Sequence, residues 1–491
     1  MTSTRFDHPP DPARGPFRRI VLIIWAVALI AVCARVTVQR KHKPATVPSQ
    51  ATPAPASLDP EDREGNWPRN SGYKTYVLAG RRWREGRSLY RSLDDLSPEA
   101  RKRHEAAGDD LTGREGGAWG GYRYSPTAAI LFVPLSYMPG PVGEVVWRVF
   151  LLAASLGGLY WCARIGLPRP LARRDWATFF LLVLPSFTGC LNNGQSSCLI
   201  LGCLLGAIAA ASTERWMLSA VLVTVPTLMK IYPVSVGMLL CVMYPRRFGW
   251  RFLLVMAIGL GLPFLLRPAT MVGEHQRWLW HLLNDSKSPE DIIHMDQDLR
   301  LLVARWLHVR LPGGVFMALQ LLAAALIAAI CLAGRLAGWP RRMLLARMLG
   351  LATCWMTVLG LATEPSTYIL ISPALAWSIW ECWLRPSSAT GLKRPALNRS
   401  SGGMSSRDVL DYATETRRPG RAPGGMPSRV VLACAYGLLI LSYVALWFPW
   451  GKRVNTYGPE PLAGTLLFGY LVYRSVVELR SARRPVLAVA R

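Results

Sequence analysis

Apolar runs about as long as a bilayer is thick constrain this chain more than any other feature. Ile20–Val36, Val145–Ala163, Trp250–Leu266, Val315–Leu336 and Val430–Trp447 each approach or exceed the roughly 20 residues a helix needs to cross hydrocarbon. Shorter or interrupted runs lie at Trp176–Pro185, Ser196–Ala211, Met217–Leu228, Val234–Tyr244, Ala346–Leu361, Ile369–Trp383 and Pro461–Val477. Hydrocarbon offers no water to satisfy backbone amides, so such segments span as helices. The sequence predicts an all-α fold, a polytopic membrane helix bundle of about twelve segments with two long outer loops. A length of 491 residues would otherwise suggest several soluble domains.

Charge orients the bundle. The formal net charge is +27, but the arginines cluster in short loops: Arg164–Arg174, Arg246–Arg251, Arg341–Arg347, the 385–429 segment and the C-terminal tail. Cationic loops stay on the cytoplasmic side. A nucleic-acid surface would need a folded basic face with accessible aromatics, and no segment supplies one, so no nucleic-acid partner is expected. The ten cysteines lie in or beside apolar segments without CxxC spacing and read as small hydrophobes. No HExxH motif or Cys/His cluster calls for a metal, and no cofactor is expected.

Threaded this way, residues 1–19 are cytoplasmic and 20–37 form a retained first span, because no small-residue cleavage site follows Cys33-Ala34-Arg35. Residues 38–125 form an outer loop. It begins with a Pro/Ala/Thr/Ser-rich linker and continues with an amphipathic interfacial helix over Tyr73–Arg87, on which Tyr73, Tyr76, Val77, Ala79 and Trp83 share a face. Residues 126–266 are the membrane core. It opens with a re-entrant hairpin or short helix pair at 126–140, marked by Pro126, Pro134 and Pro139. Residues 267–312 form a second outer loop and 313–384 further helices. The Ser/Gly/Pro/Arg-rich 385–429 segment reads as a disordered cytoplasmic connection, followed by helices over 430–478 and a cytoplasmic tail over 479–491.

Five polar breaks then fall on the outer side: Tyr122–Pro126, Asn192–Gln195, Lys230–Pro233, Asp296–Leu299 and Thr363–Tyr368. A lysine at a helix centre costs roughly 2.5–3.5 kcal/mol on insertion scales, so a chain that keeps Lys230 among apolar segments is building a site.

In order and spacing, Gly86-x-Ser88-Leu89-Tyr90, Tyr124-Ser125-Pro126 with Pro134-Leu135 and Met138-Pro139, Asn193-Gly194-Gln195 and Lys230-Ile231-Tyr232-Pro233 resemble glycosyltransferase family 87 over about residues 70–375. The resemblance implies a GT-C-like fold and a polyprenyl-phosphate-linked sugar donor, typically of mannose or arabinose. It further implies transfer to a lipid or glycan acceptor of the envelope, among membrane lipids, at the outer face of a bacterial cytoplasmic membrane. Two departures stand out. The family's acidic residue after the first span would fall near Gly72-Tyr73, where there is none. The late Ser-Pro-x-x-Trp-x-His element has no histidine, and Thr363–Tyr368 stands in its place.

Inverting transfer needs a carboxylate to take the acceptor's proton and cationic or hydrogen-bonding groups for the departing phosphate. Glu364, between two apolar spans, is the first candidate base, with a sugar ligand or an exposed loop acid as its alternatives; Asp62, Glu64, Asp296 and Asp298 are the others, the last two reading more readily as solvated loop acids than as bases. Lys230 is the candidate phosphate ligand, with Tyr232 beside it; a lysine snorkelling to the interface is the plain alternative. Asn192, Asn193 and Gln195 offer amides for sugar hydroxyls, or form an ordinary polar turn. Arg123 and Tyr124 suit a donor phosphate or an interfacial aromatic belt. Two other functions fit the same elements. A lipid-linked saccharide flippase would show internal repeats and midplane sites; no repeat is visible. A non-catalytic relative of the enzyme family would leave no carboxylate beside Lys230.

Overall fold

The computed structural model describes residues 72–90, 122, 124–169, 171, 173–284, 297–360, 363–384, 426–445, 448 and 451–489, with Ile23 and Val27. The rest of the first span, the proline-rich linker and 385–425 lie outside the described residues, as do Asp62, Glu64, Arg123 and Asp296. Among the described residues the structure is helical, without strands. The chain is a polytopic helical membrane protein.

Helix α1 (Gly72–Glu85) buries Tyr73, Tyr76, Val77, Ala79, Gly80 and Trp83, the face its periodicity predicts, against protein. The stretch after it is the expected pair of short elements. Helix α2 (Pro126–Phe132) starts at Ser125, whose hydroxyl accepts from Ala128 N, with Pro126 fixing the first turn; a 3-10 turn (Pro134–Tyr137) follows.

Helix α3 (Gly140–Trp161) packs against α5 (Ser197–Ser212), and both reach the core because glycines let the backbones meet. A Cβ on Gly158 would collide with the Gly202 carbonyl, and one on Gly202 with Ala154. In the sequence α4 (Arg173–Asn193) connects them, with Pro185 inside it. Helix α6 (Trp216–Met229) ends where Lys230 turns extended (φ −137°, ψ 134°), and Pro233 caps α7 (Val234–Met243). Next come α8 (Trp250–Leu266), α9 (Pro268–Asn284), α10 (Leu299–Trp306), α11 (Gly313–Leu336) and α12 (Arg341–Val358). A 3-10 segment (Pro365–Ile371) leads into α13 (Ser372–Ile379). Helices α14 (Met426–Ala445), α15 (Gly451–Asn455) and α16 (Pro459–Val489) complete the bundle; Met426–Arg429 are thus helical where a disordered connection was expected.

Among the described residues, five helices are long and apolar enough to cross a membrane: Gly140–Gly166, Pro245–Leu266, Gly313–Leu336, Met426–Ala445 and Pro459–Ala482. The second and third bury only 17% and 22% of their apolar window and turn their hydrophobic sides outward, where lipid would cover them. The shorter α5 is buried almost all round.

Helix α5 separates the two kinds of loop by about 24 Å, the rise of a 16-residue helix. At its C-terminal end Glu214 bonds Arg341 and, at 3.3 Å, Arg247, gathering the arginine-rich loops. At its N-terminal end lies the Asn192–Gln195 turn, bonded by Tyr76 from α1 and by Trp147 and Arg148 from α3.

Candidate functional site

The site begins with the turn between α4 and α5. Gly194 adopts φ 61°, a left-handed conformation that glycine takes without strain, and Gln195 N donates to Cys190 O at 3.2 Å to close the helix end. From α3, Trp147 Nε1 donates to Gly194 O (2.9 Å), while Arg148 donates through Nε to Leu191 O (2.9 Å) and through Nη2 to Asn192 O (3.1 Å). Glu144, one helical turn back, balances the arginine at 2.8 Å, with both side chains buried. Helix α1 closes the other side. Ser196 N donates to Tyr76 Oη at 3.2 Å, and the Tyr76 ring stacks on Phe132 with centroids 4.5 Å apart.

Lys230 arrives from the end of α6, where the Ser125 hydroxyl donates to Leu228 O at 2.6 Å. Its ammonium stands 4.0 Å from Glu364 Oε2; the lysine side chain is 12% exposed and the glutamate 45%. Tyr76, Tyr232 and Cys190 also lie within its electrostatic reach, and the Tyr232 ring centroid is 6.0 Å away. Glu364 is presented by the loop before the 3-10 segment. Ser366 Oγ donates to its Oε2 at 3.3 Å, and the preceding Thr363 O accepts from Gln297 N at 2.8 Å.

On the turn itself, whose Ser196 N bonds the Tyr76 hydroxyl, buried oxygens of Asn192 (Oδ1), Gln195 (Oε1) and Ser196 (Oγ) make no hydrogen bond. Each such group costs about 1–3 kcal/mol, so three on one turn are a concentration of unmet hydrogen-bonding capacity.

The sequence model of glycosyltransferase family 87 matches residues 122–373, the stretch that carries Tyr124, the 192–195 turn, Lys230 and Glu364. The chain belongs to glycosyltransferase family 87. No curated protein and no solved structure matches it. As a family 87 protein it is a membrane glycosyltransferase, which moves a sugar from a donor to an acceptor. The match begins at Tyr122, so α1 lies before it yet forms one wall of the cluster.

Of the described candidate acids, Glu364 faces Lys230 in this family 87 glycosyltransferase, while Asp298 pairs with Arg300. Asp298 is fully buried rather than a solvated loop acid. It caps α10 by accepting from Arg300 N at 2.8 Å and pairs with the Arg300 guanidinium at 2.6 Å. Asn192 and Gln195 are half-buried on the turn, whereas Asn193 is exposed. Tyr124 belongs to an aromatic series: its hydroxyl lies 3.4 Å from that of Tyr76, and its carbonyl accepts from Tyr90 Oη at 2.6 Å. Burial, with the Glu274 carboxylate nearby, pushes the Tyr90 phenol well above its ordinary value and keeps it a donor.

Sequence reasoning passed over Glu144, Trp147, Arg148 and Glu274. For Glu144 and Arg148 a signal existed: opposite charges at i and i+4 within a 22-residue apolar helix. Glu274 accepts from Leu89 N at 2.9 Å and ties α9 to the Gly86–Tyr90 turn, a contact that no local pattern announces. Among the described residues, no three His, Cys, Asp or Glu side chains gather as a metal site.

Proposed function

We propose that this glycosyltransferase moves a hexose, mannose first among candidates, or a pentose from a polyprenyl-phosphate donor to an envelope lipid or glycan. The transfer takes place at the outer face of a bacterial cytoplasmic membrane. The observation that carries the reading is the Lys230–Glu364 contact of 4.0 Å; Tyr76, within reach of Lys230, bonds the turn that holds the unpartnered Asn192 and Gln195 oxygens. An ammonium for a phosphate, a carboxylate for a proton and acceptors for sugar hydroxyls are the three groups the reaction requires.

In this reading the donor phosphate takes Lys230 and frees the Glu364 carboxylate. Glu364 accepts the proton of the acceptor hydroxyl, whose oxygen attacks the anomeric carbon from the face opposite the phosphate. The bond between that carbon and the phosphate oxygen breaks, and polyprenyl phosphate departs with its negative charge held by Lys230. Asn192 and Gln195 hold the sugar hydroxyls, and Tyr232 and Tyr124 flank the ring or the phosphate. The partial exposure of Glu364 supports a base that meets an acceptor arriving from solvent or the lipid surface. The carboxylate beside Lys230 favours an enzyme over a non-catalytic relative, and the polar breaks at one end of the bundle favour it over a flippase with a midplane site.

The test is transfer by purified protein in detergent from radiolabelled polyprenyl-phosphate mannose, and separately arabinose, to a membrane extract. Labelled product is expected with one donor. If neither is consumed, yet Lys230→Ala and Glu364→Ala still reproduce the deletion phenotype in cells, the donor reading fails and a non-catalytic role takes its place.

A further inference from the structure

On the turn between α4 and α5 the backbone and the side chains are treated in opposite ways. The carbonyls of Leu191, Asn192 and Gly194 are each taken by a donor from Trp147 or Arg148. On the same turn the Asn192 and Gln195 side-chain oxygens have no partner. Helix α4 ends here, so its carbonyls carry the negative end of the helix dipole.

The device that removes them is costly. Arg148 is 2% exposed and Glu144 1%, inside a helix long and apolar enough to span a membrane. A buried ion pair of this kind is poor value for stability, since apolar residues of similar volume often serve as well or better. The planar guanidinium fork, however, fixes two carbonyls and a carboxylate at once, which a lysine cannot do.

We propose that Arg148, balanced by Glu144, is a positioning residue for the sugar-binding turn. It draws the Leu191 and Asn192 carbonyls into α3, so the Asn192 and Gln195 amides face the ligand in place of backbone oxygens. The inference rests on the reading of this turn as the sugar contact of the donor, and it names the device that sets its geometry.

The test compares wild type, Arg148→Lys and the double variant Arg148→Met/Glu144→Leu, which replaces the pair by apolar side chains and keeps the helix able to span. Two quantities are read: steady-state transfer from polyprenyl-phosphate sugar, and hydrogen exchange of the Gly194 and Gln195 amides, which close the turn onto Leu191 and Cys190. The folded double variant should show donor KM raised about tenfold or more with kcat within about twofold, the signature of lost ground-state contact. Its Gly194 and Gln195 amides should exchange faster while the rest of α4 and α5 keeps its protection, and Arg148→Lys should fall between. Wild-type kinetics and exchange in the folded double variant overturn the inference, as does a loss confined to kcat. Should the wild type consume no polyprenyl-phosphate sugar, the donor reading fails by itself. The exchange data then decide the clamp: faster exchange confined to the turn supports it, and unchanged exchange overturns it.

Discussion

Gly72 lies directly against Gln195: a Cβ on the glycine would stand 3.2 Å from the glutamine Cδ. The first residue of α1, where the family resemblance leads one to expect an acid, therefore meets the turn that carries Gln195. A carboxylate placed there has only the end of a flexible side chain to displace. Gly72→Asp introduced into Glu364→Gln should recover transfer by about tenfold or more over the single variant, part of the 10²–10⁴ range of acid–base catalysis. Initial rates of sugar transfer check this, and no recovery in a folded double variant counts against the two positions serving one cleft.

Lys230 should matter for turnover and little for stability. Its partner Glu364 is 45% exposed, and a pair open to solvent on one side contributes about 0–1 kcal/mol. Lys230→Met should lower transfer by about 10²–10³, the usual loss when one transition-state electrostatic contact is removed, and leave the melting temperature in detergent nearly unchanged. Lys230→Arg, which keeps the charge, should retain more activity than Lys230→Met. A large fall in melting temperature for Lys230→Met would assign the lysine to the fold.

Asp298 should show the opposite profile. Its carboxylate is fully buried, caps α10 and pairs with Arg300. Asp298→Asn keeps part of the cap and loses the ion pair; Arg300 is 17% exposed and partly solvated, so the loss should be about 2–4 kcal/mol. Thermal unfolding and transfer rate measured together decide the matter. Full stability with abolished transfer would return Asp298 to the list of bases.

At the far end of α5, Glu214 is held below its ordinary value of 4.5 by the hydrogen bond and charge of Arg341, with Arg247 adding to it. A depressed carboxylate contributes stability above its unfolded pKa and loses it as the pH falls through the folded one. Glu214→Gln should therefore melt slightly lower than wild type at pH 7 and converge with it as the pH drops below 4.5. Melting curves across that window check the sign; a gap that widens in acid contradicts it.

The parts of this protein that sequence reveals are those where a residue type conflicts with its surroundings. Lys230 and Glu364 stood out because charges beside apolar runs are expensive, and the two meet in space. The buried face of α1 followed from periodicity, and the short elements after Ser125 from their prolines. Arg148 obeys the same logic as Lys230 and was overlooked because the apolar run was drawn from Val145, which cut Glu144 from its partner. Asp298 looked solvated because a loop acid reveals nothing until the helix it caps is seen. The arrangement of Tyr76, Ser196 and Gly72 around Gln195 depends on α1 folding onto a turn far along the chain, and no local pattern encodes that approach.

The most direct test of the account is single-turnover transfer from a labelled polyprenyl-phosphate sugar by Glu364→Gln, beside equilibrium binding of the same donor. The paired carboxylate is the proposed base and Lys230 the phosphate ligand. Transfer should therefore fall by about 10²–10⁴, while donor affinity holds or rises as Lys230 loses its competing partner. Wild-type transfer by the folded variant would contradict the account and move the base elsewhere.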